Sequence, residues 1–183
     1  MAQAAVQAST KVVTGIVRFS YVHVWEPVAH EDSEVKKYSV ALLIPKSDKA
    51  TVKKIKDAIA AAIDQGKAKL GGKVPANLKT PLRDGDDERP DDENYEGCYF
   101  MNANANTKPG IVDASASPIM QQDDFYSGCY GRASITFFAY AGKSKGIACG
   151  LNHVMKTKDG ESLGGRSTAE SDFADVLEDD DML

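Results

Sequence analysis

Residues 130–141, YGRASITFFAYA, give the clearest β-strand pattern in this sequence. Small and apolar side chains alternate with mostly polar ones, which is the period of a strand that buries one face. The side chains expected to face inward are Gly131, Ala133, Ile135, Phe137 and Ala139. Those expected on the opposite face are Arg132, Ser134, Thr136, Phe138 and Tyr140. One face of this strand therefore belongs to the core of a β domain.

Further strand patterns lie on both sides of it. Strands are predicted at 11–25, 36–44, 97–105 and 147–154, with a short extended piece at 111–113. In the first strand, bent at Gly15, the face expected to be shared carries Val13, Val17, Phe19, Tyr21, His23 and Trp25. Apolar spacing predicts one α-helix, capped by Ser47 or Asp48 and running to about Leu70 before Gly71-Gly72. Strands and helices do not alternate, so we expect an antiparallel barrel or sandwich.

The charge is unevenly distributed along the chain. Of 22 Lys and Arg and 27 Asp and Glu, the segment 170–183 holds none and seven, which leaves 22 against 20 in the remainder. A second acidic cluster at 84–96 holds eight carboxylates and a single Arg89. Without these two segments, 21 basic residues face 12 acidic ones. A basic body with an acidic end is typical of a protein whose tail occupies its own polyanion-binding surface.

Several functional classes are not indicated. No apolar run approaches the roughly 20 residues of a membrane span, and the first ten residues do not form a secretory signal. Cys98, Cys129 and Cys149 are widely spaced and predict buried thiols in a reducing cytoplasm. We find no catalytic motif, and neither a metal nor a cofactor is implied. The cluster at 84–96 does not fit a calcium loop, because Arg89 stands where glycine is required, so a solvated loop is expected.

Aromatic and basic residues are interleaved at strand and turn positions. Single-stranded nucleic acid is held by this combination, because cations neutralise phosphates while rings stack on unpaired bases. The same rings would also serve a β core, and the pattern alone does not separate the two uses. The candidate phosphate contacts are Arg18, Arg83, Lys108, Arg132, Lys143 and Lys145. The candidate stacking residues are Trp25, Tyr95, Tyr99, Phe100, Tyr126 and Tyr130.

Residues 83–163 also carry longer motifs. The segments RDGDDE, GCYFMNANANTKPGIVD, DFYSGCYGRASITFFAY and GKSKGIACGLNHVMKTKDGESLGG follow one another in that order. Together they resemble a tailed-phage family of single-stranded-DNA-binding proteins with an OB fold, formerly catalogued as a domain of unknown function. The match covers about half of the chain closely.

The resemblance implies a mainly β fold: an elaborated five-stranded OB barrel with one inserted helix and a disordered acidic C-terminal tail. We expect a flexible N-terminus at 1–10, a nucleic-acid-binding domain at 11–160 and a flexible tail at 161–183. In such families the tail competes with DNA and contacts replication partners. The residues expected to act in this tail are Glu170, Asp172, Phe173, Asp175, Glu178, Asp179, Asp180 and Asp181. The terminal aromatic of some relatives is replaced here by Met182-Leu183.

The sequence therefore predicts a non-enzymatic phage protein that coats single-stranded DNA with little sequence preference. It would act in the host cell cytoplasm during replication, recombination or repair, with phage or host replication proteins as partners. Weak binding to double-stranded DNA is also expected, because phosphate attraction does not distinguish strand number. Two alternatives stay open: a virion structural or assembly protein, and a nuclease or annealing enzyme with a metal site in the segment 84–93.

Overall fold

The fold of the chain is seen in a computed structural model that describes residues 9–29, 34–142, 144–163 and Phe173. In these ranges the strands are β1 (Lys11–Val13), β2 (Val17–Ala29), β3 (Lys36–Pro45), β4 (Arg83–Asp84), β5 (Cys98–Ala105), β6 (Gly110–Val112), β7 (Tyr130–Ala141) and β8 (Lys145–Lys158). The helices are α1 (Lys49–Gln65) and α2 (Gly85–Glu88), with single 3-10 turns at Glu93–Tyr95 and Gln122–Asp124. Residue 143 and most of the predicted tail lie outside the described residues.

Five strands close into a ring in the order β2, β3, β5, β8, β7 and back to β2. The pairs are antiparallel except β5 with β8, which run parallel at Asn104 and Gly150. The predicted barrel of five strands with one main helix is confirmed, but the sheet is mixed rather than wholly antiparallel. Parallel pairing arises because the long connection from β5 to β7 lets β8 enter beside β5 in the same direction.

The interior of the ring is filled by the alternating faces of its strands. On β7 the buried side chains are Ala133, Ile135, Phe137 and Ala139, as the sequence pattern predicts. The apolar stripe of α1 packs against β1, β7 and β8 and covers one end of this core. Cys129 and Cys149 are buried free thiols, and Cys98 is half-buried.

Several element boundaries differ from prediction: β2 ends at Ala29 rather than at 25, and β8 spans Lys145–Lys158 rather than 147–154. Two further differences are explained by close approaches between elements. The strand predicted at 11–25 is interrupted at Gly15, whose N–H donates to Thr51 Oγ1 at 2.9 Å and where a Cβ would collide with Asp48. The helix ends at Gln65 rather than near Leu70, because Gly66 lies against Ala139 of β7 and the helix cannot continue past the barrel wall.

Beyond β8 the chain stays packed to the end of the described range. The N–H of Leu163 donates to the carbonyl of Ser127 at 2.8 Å, and its side chain packs on Leu43, Tyr95 and Phe100 outside the barrel. Of the predicted tail, 161–183, the structure describes residues 161–163 and Phe173, which is 59% exposed. In the described ranges no helix is long and apolar enough to cross a membrane.

Candidate nucleic-acid interface

A groove of about 390 Å³ lies on the outer face of β2, β3 and β5. Its floor is formed by Ser39 and Ala41 of β3 and by Asn102 and Asn104 of β5. A smaller cleft shares several of its residues and extends it to Leu163. One side of the groove carries Tyr21 and His23, and the other carries Arg83, Arg89, Tyr95 and Phe100. In OB folds this face of the barrel takes oligonucleotides and oligosaccharides.

The acidic segment 84–96 forms one wall of the groove. Its carboxylates stabilise the segment itself: Asp84 accepts from the N–H of Asp86, and Asp92 from the N–H of Asn94. Lys46 bonds Asp84 at 2.8 Å and Asp86 at 2.7 Å, and these bonds lower the pKa of both carboxyls. The sequence predicted a solvated loop here. The structure agrees in that most of these carboxylates are exposed, and it adds that the segment is an ordered wall, held by turn caps at Asp84 and Asp92 and by the ion pairs of Lys46.

Two aromatic rings, Tyr95 of this wall and Phe100 of the adjoining β5, lie beneath arginines. Tyr95 and Phe100 meet edge to face with their centroids 5.0 Å apart, and they are 2% and 4% exposed. The guanidinium of Arg89 lies 5.3 Å from the Tyr95 ring, and that of Arg83 lies 5.6 Å from the Phe100 ring. Both arginines are exposed to the groove. A base could reach either ring only after an arginine moves, so in this conformation the wall presents cations rather than ring faces.

The opposite rim depends on a β-bulge in β2. The register steps from Ser20–Ala41 to His23–Ser39, so β2 carries one residue more than β3 at this point. Tyr21 stands at the bulge with a φ of 46°, and its ring is 54% exposed. The alternation predicted from Val13 to Trp25 holds only at Val17 and Phe19. Before the interruption at Gly15, Val12 rather than Val13 is buried, and beyond Phe19 the bulge shifts the pattern. Tyr21 and His23 line the groove instead of sharing the buried face of Phe19.

The comparisons with known proteins agree with this geometry. The family described as the ssDNA-binding protein of Enterobacter phage Enc34 matches residues 10–183. The chain belongs to the Enc34 single-stranded-DNA-binding family. That family consists of binding proteins rather than enzymes, and the resemblance predicted from the sequence is confirmed.

Individual relatives cover nearly the whole chain. The single-stranded-DNA-binding protein of bacteriophage Enc34, solved in complex with ssDNA, is 28% identical with a TM-score of 0.74, over 88% of this chain and 97% of that one. The bacteriophage T7 protein gp2.5, a single-stranded-DNA-binding protein, has a TM-score of 0.55 at 18% identity over 92% and 94% of the chains, which supports the fold alone. A putative protein p50 of Acyrthosiphon pisum secondary endosymbiont phage 1 is 29% identical over 94% of this chain and 98% of its own length.

In this member of the Enc34 family, the predicted site residues fall into separate places. Arg83, Tyr95 and Phe100 meet in the groove. Trp25 pairs with Lys108, whose ammonium lies 5.0 Å from the ring, while the indole N–H donates to the carbonyl of Phe125 at 2.9 Å. The groove does not include this pair.

Other predicted contacts have structural partners. Arg18 donates to the carbonyls of Gly128 and Glu161 and to Asn94 Oδ1. Arg132 and Lys145 donate to the carbonyls of Thr14 and Leu70. The ring of Tyr99 lies between the ammonium groups of Lys46 and Lys56, away from the groove. Tyr126 and Tyr130 lie near the end of β8, and Lys143 is outside the described residues.

Eight residues that line the groove were not predicted from the sequence: Tyr21, His23, Ser39, Val40, Ala41, Arg89, Asn102 and Asn104. A usable signal existed for the two asparagines, because they alternate with Met101 and Ala103 and so mark an uncharged polar face on β5. For Tyr21 no signal was available, since a bulge depends on pairing with β3. In the described ranges, no group of three or more His, Cys, Asp and Glu is placed to hold a metal ion.

Proposed function

We propose that this chain binds single-stranded DNA in the groove and coats it with little sequence preference. The observation that carries the proposal is the groove itself: two exposed guanidinium groups, Arg83 and Arg89, face a polar, uncharged floor on the binding face of an OB-type barrel. The Enc34 relative with the same fold was solved in complex with ssDNA. No enzymatic step is required for this function.

In the proposed mechanism, Arg83 and Arg89 neutralise phosphates along the wall formed by segment 84–96. The exposed ring of Tyr21 stacks on a base from the opposite rim, a contact that tolerates any base because each has a π face. Trp25 follows His23 by two residues along the chain, and Lys108 follows Asn104 by four. A DNA strand that leaves this end of the groove would therefore meet the Trp25–Lys108 pair. Lys143 and Lys145, at the connection from β7 to β8, are further proposed phosphate contacts, since loops beside the barrel complete OB sites.

The acidic tail is proposed to compete with DNA for the same cations. Leu163 lines the cleft that continues the groove, so the following twenty residues begin beside the binding surface. A chain of that length reaches up to about 70 Å when extended, and its seven carboxylates are complementary to Arg83 and Arg89. Such a tail would lower DNA affinity and promote release. Roles in phage replication, recombination or repair, and contacts of the tail with replication proteins, belong to the same proposal.

Fluorescence anisotropy with labelled oligo-dT tests this function. Full-length protein is compared with the fragment 1–169, and with a full-length variant in which the seven tail carboxylates are amides, at low and moderate salt. We expect the fragment and the neutral-tail variant to bind several-fold more tightly than the native chain, with a steep salt dependence in all three. Absence of binding by all three at low salt would contradict the proposal and favour the virion structural or assembly role.

A further inference from the structure

The floor of the groove carries polar side chains in rows that cross the three strands. His23 of β2 pairs with Ser39 of β3, which pairs with Asn104 of β5, so these three residues form one row. The next row joins Ala41 to Asn102 beside Tyr21 of the bulge. Consecutive rows are two residues apart along the strands, or about 6.8 Å. This separation suits an extended single strand that places one unstacked base on each row.

The floor of the groove is a depression because β3, the middle of the three strands, carries small side chains there. Ser39 and Ala41 are the two smallest side chains available apart from glycine, and they lie between the larger groups on β2 and β5. Asn102 is exposed and Asn104 half-buried, and each projects outward because Met101 and Ala103 face the core. A flat base can therefore enter edge first between the strands and meet the amides.

These amides differ from a third one on the same barrel. The side chain of Asn152 on β8 donates to Thr136 Oγ1 at 2.9 Å and approaches Ser134 Oγ at 3.4 Å on β7. Within the part of the chain that the structure describes, Asn102, Asn104 and His23 have no comparable partner. Hydrogen-bonding groups without protein partners at the bottom of a concave surface are available to a ligand.

We propose that Asn102 and Asn104, assisted by His23, hydrogen-bond the edges of unpaired bases, so that the groove requires a base without selecting which one. This inference rests on the proposed function of the groove and adds the chemical group that it recognises. A side-chain amide holds both a donor and an acceptor, and rotating it by half a turn exchanges them. Unpaired bases expose donors and acceptors on their Watson–Crick edges, which a duplex conceals. Asn102 and Asn104 would therefore accept any unpaired base and so distinguish single-stranded from double-stranded DNA.

The test compares two ligands of equal length: oligo-dT and an abasic oligomer that keeps the sugar–phosphate backbone but lacks the bases. Full-length native protein is expected to bind oligo-dT at least tenfold more tightly than the abasic oligomer. Asn102→Ala with Asn104→Ala should weaken oligo-dT binding about tenfold, the usual effect of losing two hydrogen bonds. Binding of the abasic oligomer should change less than twofold, which also shows that the variant is folded.

The matched control is Asn152→Ala, which removes an amide from the same barrel outside the groove and should leave both affinities unchanged. Equal losses on the two oligomers, or no loss on oligo-dT, would overturn the role of the two amides. Native protein that binds the two ligands equally well would overturn base recognition itself, while leaving single-strand binding in place. Native protein that binds neither ligand would instead contradict the proposed function.

Discussion

Two regions of this barrel combine tyrosines with cations, and they use them differently. In the groove, Arg83 and Arg89 lie over Phe100 and Tyr95. The second region, here called the Tyr126 cluster, consists of Arg18, Tyr126, Tyr130, Lys156, Lys158, Asp159 and Gly160. Cation-to-ring distances are similar, 5.3 to 5.9 Å in the first and 5.4 to 5.7 Å in the second. Proximity of cation and ring therefore does not distinguish them.

The difference lies in what the polar atoms bond. In the Tyr126 cluster the hydroxyl of Tyr126 donates to the carbonyl of Gly160 at 2.9 Å and accepts from its N–H at 3.1 Å. Hydrogen bonds from Lys156 and Tyr126 lower the pKa of Asp159. These contacts hold the segment after β8 on the barrel. In the groove the floor amides are open, so we infer that unused hydrogen-bonding capacity, rather than composition, marks the proposed DNA site.

The largest loss of DNA affinity is expected when the cations of the groove, rather than those of the Tyr126 cluster, are removed. Arg83→Ala with Arg89→Ala should weaken oligo-dT binding roughly a hundredfold, because two charge-assisted contacts to phosphate are lost. The slope of log affinity against log salt should become shallower by about 1.4, since each phosphate contact on a single strand contributes about 0.7. Anisotropy titrations at several salt concentrations measure both quantities.

The matched control for the arginines is Lys156→Ala with Lys158→Ala in the Tyr126 cluster. This variant removes the same amount of charge and should change the affinity less than threefold and leave the salt slope nearly unchanged. Equal losses of oligo-dT affinity in the two double variants would show that the bound DNA strand also crosses the Tyr126 cluster. Thermal unfolding of both proteins checks that the loss of the cations over the rings has not unfolded the wall.

A smaller loss of DNA affinity is expected when an aromatic ring is removed, and it should distinguish Tyr21 of the groove from Tyr130 of the Tyr126 cluster. Tyr21→Gly should weaken oligo-dT binding about tenfold, because one stacked base contributes roughly 1–3 kcal/mol. Glycine accepts the positive φ of the bulge, so the melting temperature should not fall. Tyr130→Ala should instead lower the melting temperature and leave DNA affinity within threefold. If Tyr130 stacks on a base, as the sequence predicts, its variant would lose as much affinity as that of Tyr21.

The predictable part of the fold is the part with regular local patterns. The strand at 130–141 was predicted residue for residue, since alternation and the flanking turns are local signals. The helix was predicted with a cap at Ser47 or Asp48, of which Asp48 is the observed cap, but its end at Gln65 depends on a contact with Ala139 more than seventy residues away. Closure of the ring through a parallel pair depends equally on distant partners and was not predicted.

The candidate site was less accessible to sequence reasoning. Arg83, predicted as a phosphate contact, lies in the groove, but the rings of Tyr95 and Phe100, predicted to stack on bases, are covered, which composition does not reveal. Most carboxylates of the acidic segment are exposed, as predicted, but the order of the segment was not predicted, because it depends on the turn caps of Asp84 and Asp92 and on the distant Lys46. Tyr21 required knowledge of the bulge. Residue types were thus informative about the kind of ligand and poorly informative about its location.

The smallest change in DNA affinity is expected at the acidic wall. It tests whether an arginine that is held in an ion pair binds DNA less tightly than a free one. Within the groove Arg83 is partly held, because its guanidinium lies 3.0 Å from Glu88 Oε1, and both side chains are substantially exposed. Glu88→Gln should therefore free Arg83 for phosphate and raise oligo-dT affinity about two- to fivefold, the usual range for an exposed ion pair. The gain should shrink as salt rises, since exposed charges are screened over about 10 Å at 0.1 M.

The control for the wall is Asp57→Asn on α1, which breaks the 2.8 Å pair with Lys53 and removes the same charge from a helix outside the groove. If both variants raise affinity equally, the effect is one of net charge, and the wall has no specific influence on Arg83. A gain confined to Glu88→Gln would mean that the acidic wall limits affinity from within the folded domain. The wall would then oppose DNA binding at the same cation for which the C-terminal tail is proposed to compete.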